Sequence, residues 1–137
     1  MLPMPDIFSP SKRSEIMAKI RSKNSNAEKI AFRYLRKEGV YFQRHYKKAA
    51  GSPDIALPRK KKAVFIDGDF WHGRHIERMN GREYWHAKLL SNKERDKRVD
   101  AELADSGWKC LRIWESDIVR KSSQLDSLKT IQKFLAG

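Results

Sequence analysis

The residues best suited to chemistry stand at the ends of hydrophobic stretches. In "VFIDGDFWHGRH", Val64–His75, a strand-like run leads into Asp67 and Asp69, then two aromatics, then His72. In "SPDIAL", Asp54 opens a second hydrophobic stretch. An aspartate after Ser-Pro is most often a turn residue that bonds its own backbone. If the two stretches pair as a hairpin, however, Asp54, Asp67, Asp69 and His72 meet at neighbouring strand ends. Carboxylates bind hard cations such as Mg²⁺, and a nearby histidine can take or give a proton. In a basic chain, such a gathering suits a metal held against phosphate.

Two other acids are candidates. Glu28 closes "SNAE", which reads as a capping box opening a helix; the same carboxylate can also hydrogen-bond a metal-bound water. In the long helical stretch after the strands, Trp85, Leu89, Val99 and Leu103 form one stripe, and Asn92 and Asp96 share it. Polar groups on an apolar face need partners. Asp96 either pairs with an arginine of "ERDKR" or points towards the sheet that carries Asp54. Phe70 and Trp71 sit in a turn region, where burial under a loop competes with insertion between DNA base pairs. Met17 has core packing and a second wedge as its two readings.

These residues need elements to position them. Ser9-Pro10 is a helix-start signal, and a short helix through Ile16, Met17 and Ile20 is expected after it. A second helix carries Ala27, Ile30, Ala31, Tyr34 and Leu35 on one face and stops at Gly39. Strands are expected over 41–47, 54–57 and 63–67, then a long helix from Arg82 to about Ser106 ended by Gly107. A strand over 108–115 and a helix over about 124–135 complete the order α-α-β-β-β-α-β-α. This predicts an α/β fold, a mixed central sheet flanked by helices.

The chain has 137 residues, enough for one domain with a core and not comfortably for two. A single domain over 1–137 is expected, with 1–10 as a flexible N-terminal arm. No apolar run reaches membrane-spanning length and no secretory signal stands out. The lone Cys110 excludes an internal disulfide framework and any cysteine-rich zinc cluster. These features fit a reducing cytoplasm. Lys and Arg number 30 against 17 Asp and Glu, a formal net charge of +13. A polybasic membrane-surface protein is the rival reading, but the basic residues are spread through "RYLRKEG", "PRKKKA" and "NKERDKR" rather than gathered on one helix. Nucleic acid is the expected partner.

In this order the residues resemble the very-short-patch-repair (Vsr) mismatch endonucleases of the PD-(D/E)XK, restriction-endonuclease-like superfamily. The resemblance runs through "SKRSEIMAKIRSKN", "AEK", "SPDI", "VFIDGDFWHGRH", "EYWHAKLLSNKERD" and "GWKCLRIWE", roughly residues 11–120. It implies a metal-dependent endonuclease that nicks one strand of double-stranded DNA beside a T·G mismatch. Asp54 would be the central ligand of Mg²⁺, with Mn²⁺ as the alternative ion, and the backbone carbonyl of Ile66 a second ligand. His72 would be the general base or its organiser, and Glu28 and Asp96 would hold metal-bound waters. Phe70, Trp71 and Trp85 would form an aromatic wedge, with Met17 entering from the other groove. Lys88, Asn92 and Arg95 are candidate DNA contacts on the long helix. The resemblance further implies a DNA-associated monomer, with mismatch-repair proteins as possible partners and no membrane.

The pattern is broken in two places. Family members often hold a structural zinc here, but the matching positions are Asp69, Arg74, Ile76 and Ser116, none of them Cys or His. No such zinc is expected, and an Asp69–Arg74 salt bridge is expected to brace the turn instead. Asp67 falls where some family members have histidine, and it can ligate a metal or orient His72. Two other functions stay open: a restriction- or defence-type nuclease acting on unmismatched DNA, and a DNA-binding module without catalysis.

Overall fold

The computed structural model describes residues 26–69, 72–74 and 83–137. Helix α1 occupies 26–37 of the described chain. It ends as a Schellman turn: Gly39 takes φ +72°, its N–H reaches the Arg36 carbonyl, and the Val40 N–H reaches Leu35. Strands β1 (Gln43–Arg44), β2 (Ile55–Leu57) and β3 (Lys62–Asp67) follow. The long helix α2 spans Glu83–Asp105, and strand β4 spans Lys109–Trp114. Two helices close the chain, α3 (Glu115–Val119) and α4 (Lys121–Ala136).

The strands form one mixed sheet in the order β1-β2-β3-β4. The first two pairings are antiparallel and β3–β4 is parallel, with α2 as the crossover. The expected α/β architecture is therefore present. Strand β1 is much shorter than the expected 41–47 because His45 adopts φ +48°, a left-handed conformation that a strand cannot continue through. The last strand stops at Trp114, and Glu115 begins a helix that the sequence reading assigned to the strand. Gly107, at φ +85°, ends α2 as expected.

Strand periodicity sorts β3 and β4 into two faces. Val64 and Ile66, with Leu111 and Ile113, join a core built from Ala31, Leu35, Ile118 and Ile131 of α1, α3 and α4. Ala63 and Phe65, with Cys110, join a smaller core with Leu103 and Val99 of α2. Asp67 and Arg112 share the parity of this second face, so both point to the helix that carries Asp96 and Asp100. Among the described residues, no helix is long and apolar enough to cross a membrane.

Candidate active site

The start of β2 explains how Asp54 is placed. Ile55 pairs with Val64, so extending the antiparallel register by two residues puts Pro53 opposite Ile66. Proline has no N–H to donate, and the ladder cannot continue there. The Asp54 side chain takes over, accepting the Ile66 N–H at Oδ2 over 2.7 Å. In an antiparallel strand a residue's N–H and C=O point to the same side, so the Ile66 carbonyl faces the same neighbourhood.

Two clusters of ligand-type side chains lie at this end of the sheet. In the first, Asp54 meets Glu28 of α1 and His45, whose Nε2 is 3.4 Å from Glu28 Oε2 and whose Nδ1 is 3.8 Å from Asp54 Oδ1. Burial, offset in part by the Ile66 N–H and reinforced by the neighbouring Glu28, pushes the Asp54 carboxyl up to about 7. Carboxylates crowded in this way are stabilised by a cation, and the donor set fits a divalent ion.

In the second cluster, His72 Nδ1 lies 2.5 Å from Asp96 Oδ2 and its Nε2 lies 3.7 Å from Asp67 Oδ1. Asp96 thus points inward from α2 to His72, not to an arginine of "ERDKR". Arg112 donates from Nε and Nη2 to Asp100 and from Nη1 to both oxygens of Asp67, over 2.8–3.1 Å. Its guanidinium stacks on Phe65, 4.3 Å from the ring centroid. Burial alone would lower the Arg112 pKa, but Asp100 and Asp67 outweigh it and hold the group charged. Burial raises the Asp67 carboxyl, with His72 and Arg112 opposing. Arg112 also lies 3.9 Å from Asp96. With a fixed cation already in place, this cluster suits proton transfer better than metal binding.

Glu28, Asp54, Ile66, Asp67, His72 and Asp96 all line one cavity of about 380 Å³, and Arg95 and Arg112 line it too. Of the candidate DNA contacts, Arg95 is exposed and its Nη2 reaches Asn92 Oδ1 over 3.3 Å, while Lys88 is half-buried one turn away from Asn92. Trp85 is 3% exposed and edge-on to Tyr84, so it offers no open face to a base. Met17, Phe70, Trp71 and Ile76 lie outside the described residues.

The turn beyond β3 is braced by polar groups. Arg74 Nη1 reaches Asp69 and Asp117 at 3.2 Å and Ser116 Oγ at 2.8 Å. Asp69 accepts the Ser116 hydroxyl at 2.6 Å and the Ser116 N–H at 3.0 Å, anchoring the turn to the first turn of α3. Burial works against ionised Asp69, yet these donors hold its carboxyl below the usual range. The Asp69–Arg74 pair is the one the sequence led us to expect.

Sequence reasoning missed His45, Asp100 and Arg112. An arginine inside "CLRIW" was the available signal, since a charge within an apolar strand must find a buried partner. His45 left no comparable signal, because a left-handed residue in a basic run brings it beside Asp54.

A carboxylate pair suited to a cation, set beside a carboxylate-oriented histidine in one cavity of a strongly basic chain, is what a phosphodiester-cleaving enzyme needs. The comparisons with known proteins agree. Residues 5–78 match the family model described as DNA mismatch endonuclease Vsr. The chain is 37% identical over 124 residues to the type II nicking enzyme V.NmeAIP of Neisseria meningitidis serogroup A, covering 87% of this chain and 88% of the relative. It is 35% identical to the type II nicking enzyme V.XorIIP of Xanthomonas oryzae pv. oryzae, covering 84% and 88%. It is 26% identical to the DNA mismatch endonuclease Vsr of Escherichia coli K12, covering 98% and 90%. The protein is a DNA endonuclease. It belongs to the Vsr family, and its mixed sheet flanked by helices agrees with that family's restriction-endonuclease-like fold.

Proposed function

We propose that the chain is a divalent-metal-dependent enzyme that nicks one strand of duplex DNA beside a T·G mismatch. The observation that carries this reading is the shared cavity, in which the Glu28–Asp54 carboxylates and the Asp67–His72–Asp96 cluster face the same space. Asp54, with the Ile66 carbonyl, would hold the ion, Mg²⁺ or Mn²⁺. The chemistry it would supply there is stabilisation of the charge that builds on the phosphate and leaving oxygen.

The chain's own residues do the rest. An ionised Asp96 can only accept a hydrogen bond, so in the neutral ring the proton sits on His72 Nδ1 and Nε2 keeps its lone pair. His72 therefore takes a proton from the attacking water through Nε2. Arg112 keeps Asp67 from acting as an uncompensated second charge beside that ring. Arg95, exposed at the cavity rim, meets the DNA backbone. The rest of the +13 charge supplies phosphate affinity without sequence information. Phe70 and Trp71 lie next to His72 in sequence and are the residues proposed to enter the base stack, where a mispair lowers the cost of unstacking.

A second reading concerns the substrate alone. Several relatives are named type II nicking enzymes with no mismatch in the name, which favours a restriction- or defence-type nick in unmismatched DNA as that reading. Strand-resolved cleavage of matched duplexes, identical except for one T·G mispair in varied contexts, separates the two. A nick confined to the mismatched duplex supports mismatch specificity, and equal cutting of paired DNA moves the enzyme to the second reading. Tight binding without cleavage under any divalent ion would sink both.

A further inference from the structure

We infer that His45 is a direct ligand of the active-site metal and tilts the site from Mg²⁺ towards first-row transition ions. This inference rests on the reading of Asp54 as the metal-holding carboxylate. Donors at about 2.1–2.2 Å from an octahedral ion lie about 3.0 Å apart when adjacent and about 4.3 Å apart when opposite. His45 Nε2 stands 3.4 Å from Glu28 Oε2 and Nδ1 stands 3.8 Å from Asp54 Oδ1; an ion takes one of these nitrogens, and a small turn of the exposed ring brings that one to both carboxylates. One ligand atom from each of Glu28, His45 and Asp54 lies within 4.8 Å of the others.

The histidine is held in place from two sides. Its backbone N–H donates to the Asp54 carbonyl over 3.0 Å, tying it to the residue whose carboxylate it would share the ion with. Its ring stands edge-on to Phe32 at 5.9 Å. Half of the side chain, 51%, is exposed, so an ion and its waters can reach it. Mg²⁺ takes oxygen ligands and dehydrates reluctantly, whereas imidazole suits transition ions. A Glu–His–Asp set is therefore a poorer match to Mg²⁺ than carboxylates alone and a better match to Mn²⁺ or Co²⁺. The rival role for His45 is a counter-ion, an imidazolium sitting between two carboxylates without touching a metal.

The test is calorimetric titration of the full-length protein with MnCl₂, CoCl₂ and MgCl₂, using wild type, His45→Asn and Asp54→Asn. Asparagine tolerates the left-handed backbone of this position and lacks the imidazole. Circular dichroism and His45→Gly, which is free of backbone strain there, guard against misfolding. We expect His45→Asn to lose at least about tenfold in Mn²⁺ and Co²⁺ affinity. Mg²⁺ affinity should stay within about threefold of wild type, because its ligands are the oxygens that remain. Pulsed EPR of the Mn²⁺ protein should show nitrogen modulation that disappears in His45→Asn and persists in His72→Ala. Unchanged Mn²⁺ affinity and nitrogen modulation in His45→Asn, with binding lost in Asp54→Asn, would overturn the role of His45 alone. Wild-type affinity in Asp54→Asn, or no metal bound by wild type, would overturn the metal reading as well.

Discussion

His72 and Asp96, 24 positions apart in sequence, meet at 2.5 Å between Nδ1 and Oδ2, and that contact leaves Nε2 of the same ring turned to the cavity and Asp67. A base oriented by a carboxylate is the arrangement that general-base catalysis requires. Asp96→Asn keeps the shape but replaces an acceptor-only carboxylate with a neutral amide that can also donate, so the tautomer is no longer fixed. Its single-turnover nicking rate should fall by about 10²-fold or more while DNA affinity stays near wild type. A rate within a few-fold of wild type would mean that the contact is only structural.

The second prediction concerns pH in the metal-free protein. The Asp54 carboxyl is raised from 3.8 to about 7, first by burial and then by Glu28. Between these values the folded protein keeps a proton that the unfolded chain has lost. The associated stability is complete below the unfolded value and is lost as pH rises through about 7. Denaturant melts of wild type minus Asp54→Asn should show that slope. Metal must displace the same proton, so affinity should rise about tenfold per pH unit below 7, with about one proton released at pH 6. Titrations in buffers of different ionisation enthalpy read the proton directly.

Arg112 holds two carboxylates and its side chain is only 22% exposed. Arg112→Met leaves Asp67 and Asp100 without their cation and should cost about 3 kcal/mol in urea unfolding. Adding Asp100→Asn should recover part of that loss, because one of the stranded charges is gone. Full additivity of the two substitutions would argue against their coupling.

At the turn after β3, Asp69, Arg74, Ser116 and Asp117 form a hydrogen-bonded brace that ties the turn to α3. Arg74→Ala should lower stability by about 1 kcal/mol, the low end for a hydrogen-bonded charge because the group is partly exposed. Thermal melts with and without a zinc chelator should coincide. A chelator-induced drop would show that the turn does use an ion.

Much of the site was legible because chemistry constrains residue type at element ends. Asp67 at the end of the buried strand and Asp96 on the apolar stripe of a helix each stood where a local pattern asked for something else, and Asp54 gained its meaning from the hairpin that brings it to Asp67. Glu28 was legible as a cap that could also bond a metal-bound water, but its approach to Asp54 depends on how α1 lies against the sheet. His45 was hidden for another reason: an isolated left-handed residue cuts the expected strand short and is not written in hydropathy. Arg112 and Asp100 are a case between these. The parity of β4 and the i, i+4 spacing of Asp96 and Asp100 were both present in the sequence, but their meaning needs the register between β3 and β4.

The most direct test is of the division of labour between the two clusters. Mn²⁺ affinity and single-turnover nicking of a T·G duplex should be measured together for Asp54→Asn and His72→Ala. Asp54→Asn should lose both metal binding and cleavage. His72→Ala should keep Mn²⁺ affinity within about threefold while nicking falls by about 10²-fold or more. A His72→Ala protein that nicks like wild type, or an Asp54→Asn protein that binds Mn²⁺ as tightly, would contradict the account.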